Sequence, residues 1–173
     1  MTKVSLAQHD SPSKCNGGSS PSPGSDVNTC PESRTIGPRV ELVTVKALLR
    51  SSALRRLEGM NYRFCPAPDC DVVYFDNAVG SRFLKADLLV RVGQKESKDP
   101  ILLCYCFEFT VADLHSDLIA RGETGIPERI AQEIQAGHCA CEVKNPEGSC
   151  CLGNVRDAVK RIRADIDAAR TST

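Results

Sequence analysis

The sequence predicts an α+β chain: a small β-rich module over residues 30–95, then a small all-helical module over 96–170. Three observations predict it. Short β-branched and aromatic runs, such as Asp71-Val-Val-Tyr-Phe75, are confined to the first stretch. Apolar residues at helical spacing, with start and stop residues around them, fill the second. Eight of the ten cysteines fall in three tight clusters: Cys65 and Cys70; Cys104 and Cys106; and Cys139, Cys141, Cys150 and Cys151. The chain lacks tryptophan and has only 5% aromatic residues, so its core is small and needs staples, either disulfides or metals.

Composition narrows the function. Lys plus Arg equals Asp plus Glu at 22 each, so no net field points to nucleic acid or a membrane surface. The first ten residues lack the apolar run of a secretory signal, and no stretch approaches 18 apolar residues, so membrane insertion is not expected. The expected compartment is the cytoplasm, where thiols stay reduced and bind metal rather than pair as disulfides.

The elements follow in order. Residues 1–29 are rich in Ser, Pro, Gly and Asn and read as a disordered leader, in which Cys15 is a free thiol. Val40 to Val43 is strand-like, and Thr44 to Arg56 carries Val45, Leu48 and Leu49 at helical spacing, with Thr44 as N-cap. Tyr62-Arg-Phe leads into the first cysteine pair, and a strand over 71–75 follows it. Phe83 to Val92 reads as a further strand, with Leu88, Val90 and Val92 alternating. Asp99-Pro100 breaks the chain. Thr110 then caps a helix over Val111–Arg121 that Gly122 stops, and Pro127 opens a second helix over Ile126–Ala136 before Gly137. Asn154 caps a last helix from Val155 to about Ala169.

Two cysteine arrangements carry chemistry. Cys104-x-Cys106 supplies two thiolates from one turn, and the distant cysteines near 139–151 close a four-thiolate shell, which suits two irons sharing two sulfides. Starting the 111–121 helix beside that shell would aim its N-terminal amides at the negative cluster. Cys65-Pro-Ala-Pro-Asp-Cys70 places two thiolates at a bend before a strand; with a second pair, these make a tetrahedral zinc site that holds a small β module together.

Cys104-Tyr-Cys-Phe-Glu-Phe-Thr110, followed by two helices, resembles the bacterioferritin-associated-ferredoxin type of [2Fe–2S] domain. The run Cys141-Glu-Val-Lys-Asn-Pro-Glu-Gly-Ser-Cys150-Cys151-Leu-Gly-Asn-Val155 is more specific. It resembles the N-terminal half of CopZ-type copper chaperones, in which a small zinc module precedes a [2Fe–2S] module. The resemblance implies a zinc-ribbon-like fold for 30–95 and cluster ligation by Cys104, Cys106, Cys141 and Cys151, with Cys139 and Cys150 as alternates. It also implies zinc ligation by Cys30, Cys65 and Cys70. The family's second knuckle cysteine is Ser33 here, within Cys30-Pro-Glu-Ser33, and serine is a poor zinc ligand. Asp69, His9 or Cys15, or a water, would then complete the shell.

A [2Fe–2S] centre moves one electron at a time. The sequence holds no Ser/His/Asp or Cys/His nucleophile set, no glycine-rich phosphate loop and no H-E-x-x-H helix, so an electron carrier or chaperone accessory is expected rather than an enzyme. His115 reads as a solvated or core residue and His138 as a neighbour of the cysteines. The copper-binding Met-x-Cys-x-x-Cys motif of the resembled chaperones has no counterpart in the chain. The resemblance therefore implies one-electron transfer or metal reduction linked to copper, with a separate copper-binding chaperone or redox protein as partner. The other reading is a zinc-stabilised binding or buffering module without electron transfer.

Overall fold

The computed structural model describes residues 27–171. Most of the expected leader, with His9 and Cys15, lies outside them. The described chain is mixed α/β, with two small antiparallel sheets. It runs α1 (Leu42–Leu48), α2 (Ser51–Leu54), β1 (Arg63–Phe64), β2 (Val72–Asp76), β3 (Ser81–Leu84), β4 (Leu102–Cys104), β5 (Phe109–Thr110), α3 (Val111–Arg121), α4 (Ile126–Gln135), α5 (Cys141–Lys144) and α6 (Leu152–Thr171). Single 3₁₀ turns at Lys85–Asp87 and Gly93–Lys95 join β3 to β4.

β2 is the central strand of the first sheet, paired with β1 (Phe64 opposite Tyr74) and with β3 (Tyr74 opposite Phe83). All five of its residues are buried, which explains its near-continuous apolar run. The register shifts between Val72 and Tyr74. That irregularity lets Val73 and Tyr74 join the main core with Val45, Leu49, Tyr62, Phe64, Phe83 and Leu88, while Val72 and Phe75 pack on Cys30, Cys65 and Cys70. Each large apolar side chain buried here contributes about 1.5–3 kcal/mol.

The helix expected over Thr44–Arg56 is broken in two. Glu41 occupies the N-cap of α1, whereas Thr44 lies inside the helix, buried, with no hydrogen-bond partner for its hydroxyl. The break at Leu49 and Arg50 comes from cross-chain pairing: Leu89 N–H donates to Leu48 O at 2.8 Å, and Arg50 N–H to Asp87 O at 2.8 Å. That pairing also shortens the strand expected over 83–92. After Leu84 the chain turns, because the Asp87 carboxylate accepts the Leu84 N–H at 2.9 Å. Of the alternating set, Leu88 and Val92 are buried and Val90 only partly so, with Leu89 exposed.

The second stretch, expected to be all-helical, opens instead with the β4–β5 hairpin, in which Cys104 pairs with Phe109. The α3 and α4 helices lie where their signals place them. Thr110 and Asp113 form a capping box at the start of α3, and Gly122, at φ 72°, ends it in the left-handed region. Pro127 stands in the first turn of α4. Leu114, Ile126, Ile130, Val155 and Ala158 join these helices and α6 into a core that also takes in Cys104, Cys141 and Cys151. The α6 helix starts at Leu152, before Asn154, whose amide bonds the Glu147 carboxylate at 2.8 Å rather than capping.

The two halves are in contact. The Tyr74 hydroxyl donates to Pro146 O at 2.8 Å, and Gln94 bonds Glu147. At Gly93 a Cβ would sit 1.9 Å from Leu102 O, so only glycine lets this turn lie against β4. The Gly93 amide also donates to the Tyr105 hydroxyl at 2.8 Å, inside the Cys-x-Cys turn.

Candidate metal centres

The first centre is built from three short segments. Cys30 opens a tight turn closed by Arg34 N–H to Cys30 O and Cys30 N–H to Thr35 O. Cys65 follows β1 and is held by its amide on Val73 O at 2.9 Å. Cys70 ends the Pro66-Ala-Pro-Asp bend. Their sulfurs all lie within 4.8 Å of one another, with Cys30 Sγ and Cys70 Sγ 3.9 Å apart. A tetrahedral site with zinc–sulfur bonds of about 2.3 Å has sulfur–sulfur edges of about 3.8 Å, so these residues fit zinc. All three are buried.

Ser33 stands at this centre with its hydroxyl already hydrogen-bonded. Its oxygen is 3.3 Å from Cys65 Sγ and accepts the Thr35 N–H at 3.3 Å. The Cys30 thiol is lowered: burial opposes its ionisation, and hydrogen bonds from Ser33 and Glu32 outweigh burial. Burial pushes Cys70 up to about 11, aided by the charge of Cys65. Asp69 lines a surface pocket beside Cys70 and is not among the ligand atoms gathered around the three sulfurs. Lys95 was not legible as part of this site. It is buried, and its ammonium donates to Ala67 O at 2.6 Å and Cys70 O at 3.0 Å. It thus bonds the backbone of the 65–70 bend beside the sulfurs. A lysine in the polar run Gly93-Gln-Lys-Glu carries no local signal for such a role.

The second group gathers Cys104, Cys106, Cys139, Cys141 and Cys151. The β4–β5 hairpin presents Cys104 and Cys106, α5 begins with Cys141, and Cys151 precedes α6. Cys106 Sγ lies 3.6 Å from Cys141 Sγ, and Cys104 is hydrogen-bonded to Cys151. That bond, with backbone donors Phe107 and Cys106, holds Cys104 down at about 6 despite burial. The same bond and burial raise Cys151, and burial raises Cys141 to about 12. Backbone amides point at the sulfurs: Ala140 N–H reaches Cys106 Sγ at 3.3 Å, and Cys151 N–H bonds Cys141. Four cysteines gathered largely out of solvent, with amide donors on their sulfurs, suit a negatively charged cluster.

The remaining residues sort by position. Cys139 Sγ lies 3.9 Å from Cys141 Sγ, whereas Cys150 is exposed. His138 turns to Glu133, Nδ1 at 2.7 Å from the carboxylate, and His115 is exposed. The N-terminus of α3, expected to aim amides at the cluster, is closed by its own Asp113: the carboxylate takes the Thr110 N–H at 2.8 Å, and the Thr110 hydroxyl takes the Asp113 N–H. The amides at the sulfurs come instead from Ala140, Cys151 and the hairpin turn. No helix among the described residues is long and apolar enough to cross a membrane.

The chain is similar to known proteins. Residues 27–89 match the CopZ-type family described as a zinc binding domain. The copper chaperone CopZ of Archaeoglobus fulgidus is 32% identical over 149 residues, which cover 80% of this chain and 70% of that protein. The X-ray structure of the Archaeoglobus fulgidus CopZ N-terminal domain superposes with a TM-score of 0.61 at 32% identity, over 75% of this chain and 95% of that one.

Proposed function

Because this chain belongs to the CopZ family, we propose that it handles copper as a two-centre metalloprotein. In this reading, zinc is held by Cys30, Cys65 and Cys70 in a structural module over 30–95. A [2Fe–2S] cluster is held by Cys104, Cys106, Cys141 and Cys151 in a module over 96–170. The observation that carries the cluster reading is the convergence of these four cysteines, from a hairpin, a short helix and the start of α6, into one group, three of them buried and Cys106 partly so, with amide donors on the sulfurs. The four sulfurs meet as two close pairs, Cys104 with Cys151 and Cys106 with Cys141, and two thiolates per iron is what a dinuclear centre needs.

When bound, such a cluster supplies one electron per turnover, enough to reduce one copper(II) to copper(I). The protein residues bury the cluster and tune it. Cys104, Cys141 and Cys151 are shielded and Cys106 is half-exposed, so a cluster held there would be most open to a partner on the Cys106 side. Tyr105 lies between the first two ligands and is fixed by Gly93 and by its own bond to Arg91 O at 3.1 Å, which holds the Cys-x-Cys turn rigid. The expected partner is a separate copper-binding chaperone or redox protein in the cytoplasm.

The test is metal and sulfide analysis of one anaerobic preparation. Two irons, two acid-labile sulfides and one zinc per chain are expected, with a reddish-brown colour and a paramagnetic signal on reduction. The reduced protein, freed of dithionite, should convert copper(II) to copper(I). A colourless sample with zinc alone would replace electron transfer with a zinc-stabilised binding module. An intact cluster that leaves copper(II) untouched would leave a generic one-electron carrier.

A further inference from the structure

The zinc site has three sulfur ligands, and among the described residues no fourth Cys, His, Asp or Glu reaches the set. Ser33 takes the place of the expected fourth ligand, but its hydroxyl accepts from Thr35 N–H and bonds Cys65. A protonated hydroxyl engaged in this way is a weak donor to zinc. Ser33 and Cys70 also line a surface pocket of about 400 Å³, walled by Ala67 and Pro68 and rimmed by Glu32, Asp69 and Asp71. The site therefore meets solvent at the edge where its protein ligands run out. Closed structural zinc sites have four protein ligands, whereas three ligands beside an accessible cavity are the mark of a site that takes an outside ligand.

We propose that zinc on Cys30, Cys65 and Cys70 keeps an exchangeable fourth position on this pocket, and that a thiol from outside the chain binds there as thiolate. The proposal rests on the zinc reading above. Thiol is the favoured class because the three resident thiolates make the site soft. On the rim, Glu32 and Asp71 are paired with Arg82 and Lys85, and Asp69 opposes ligands that carry a further carboxylate or phosphate, whereas a thiol arrives neutral and gives up its proton only on binding. In the exchange, the S–H proton passes to solvent, a zinc–sulfur bond forms and a water leaves; no electron moves.

Zinc K-edge X-ray absorption of the anaerobic holoprotein tests this without interference from the cluster. The resting protein is expected to show three sulfurs at about 2.3 Å and one light atom at about 2.0 Å. Millimolar 2-mercaptoethanol should convert this to four sulfurs, and Ser33→Cys should show four from the start, with no response to thiol. A terminally blocked cysteine peptide, tested in parallel, separates the sources: conversion at tenfold lower concentration than 2-mercaptoethanol assigns the position to protein cysteines, and equal potency assigns it to small thiols. Four sulfurs in the resting protein would overturn the proposal, and their reduction to three in Cys15→Ser would identify the ligand. A resting three-sulfur spectrum that no thiol changes would overturn it too. No zinc edge at all would sink the zinc reading itself.

Discussion

Tyr74→Phe tests whether the two metal-bearing halves are stabilised together. The Tyr74 ring is fully buried in β2, and its hydroxyl donates to Pro146 O at 2.8 Å across 72 residues of sequence, into the turn between Cys141 and Cys151. Phenylalanine keeps the ring packing against Phe64 and deletes only the oxygen. The loss is the net hydrogen bond, about 1 kcal/mol, plus the cost of leaving a buried carbonyl unpaired, for a total of about 1–3 kcal/mol. With a urea dependence of about 2 kcal/mol/M for a chain of this size, the unfolding midpoint should fall by about 0.5–1.5 M. Anaerobic urea titration of the holoprotein reads both halves at once, through visible absorbance for the cluster and chelator-trapped zinc for the first module. Both midpoints should fall together. A midpoint unchanged on both probes, or a fall confined to one, would refute the view that this bond joins the halves.

Three further outcomes are expected. Gly93→Ala drives a methyl group into the Leu102 carbonyl two residues before Cys104, and should cost about 1–3 kcal/mol in thermal unfolding, with a lower iron content per chain. Cys104→Ser and Cys151→Ser should abolish the visible colour, whereas Cys150→Ser, at an exposed thiol, should keep it; colour surviving the first two would refute the ligand set. Lys95→Met removes two charge-assisted bonds to Ala67 O and Cys70 O and should weaken zinc retention against a chelator by about 10–100-fold; unchanged retention would show that the lysine has no hold on the knuckle.

Local chemistry made part of this protein legible from its sequence. Thr110, Gly122 and Pro127 start and stop α3 and α4 by backbone rules that act within one turn, and the apolar run of β2 marks a strand buried on both faces. The thiol spacings announced metal chemistry for a similar reason: Cys65 with Cys70, and Cys104 with Cys106, are each close enough along the chain to meet in a bend. What depends on distant chain was decided by the tertiary structure. The split of the first helix at Leu49, the shortening of the strand after Leu84 and the Cys104–Cys106 hairpin each follow from backbone bonds to a segment remote or reversed in the chain. The meeting of Cys30 with Cys65 and Cys70, which spacing alone does not give and only the family resemblance implied, has the same origin, as do the cation of Lys95 beneath it and the pocket at Ser33. Periodicity and caps report the energies of neighbouring residues, whereas a metal site is a coincidence in space of segments tens of residues apart, and only packing brings them there.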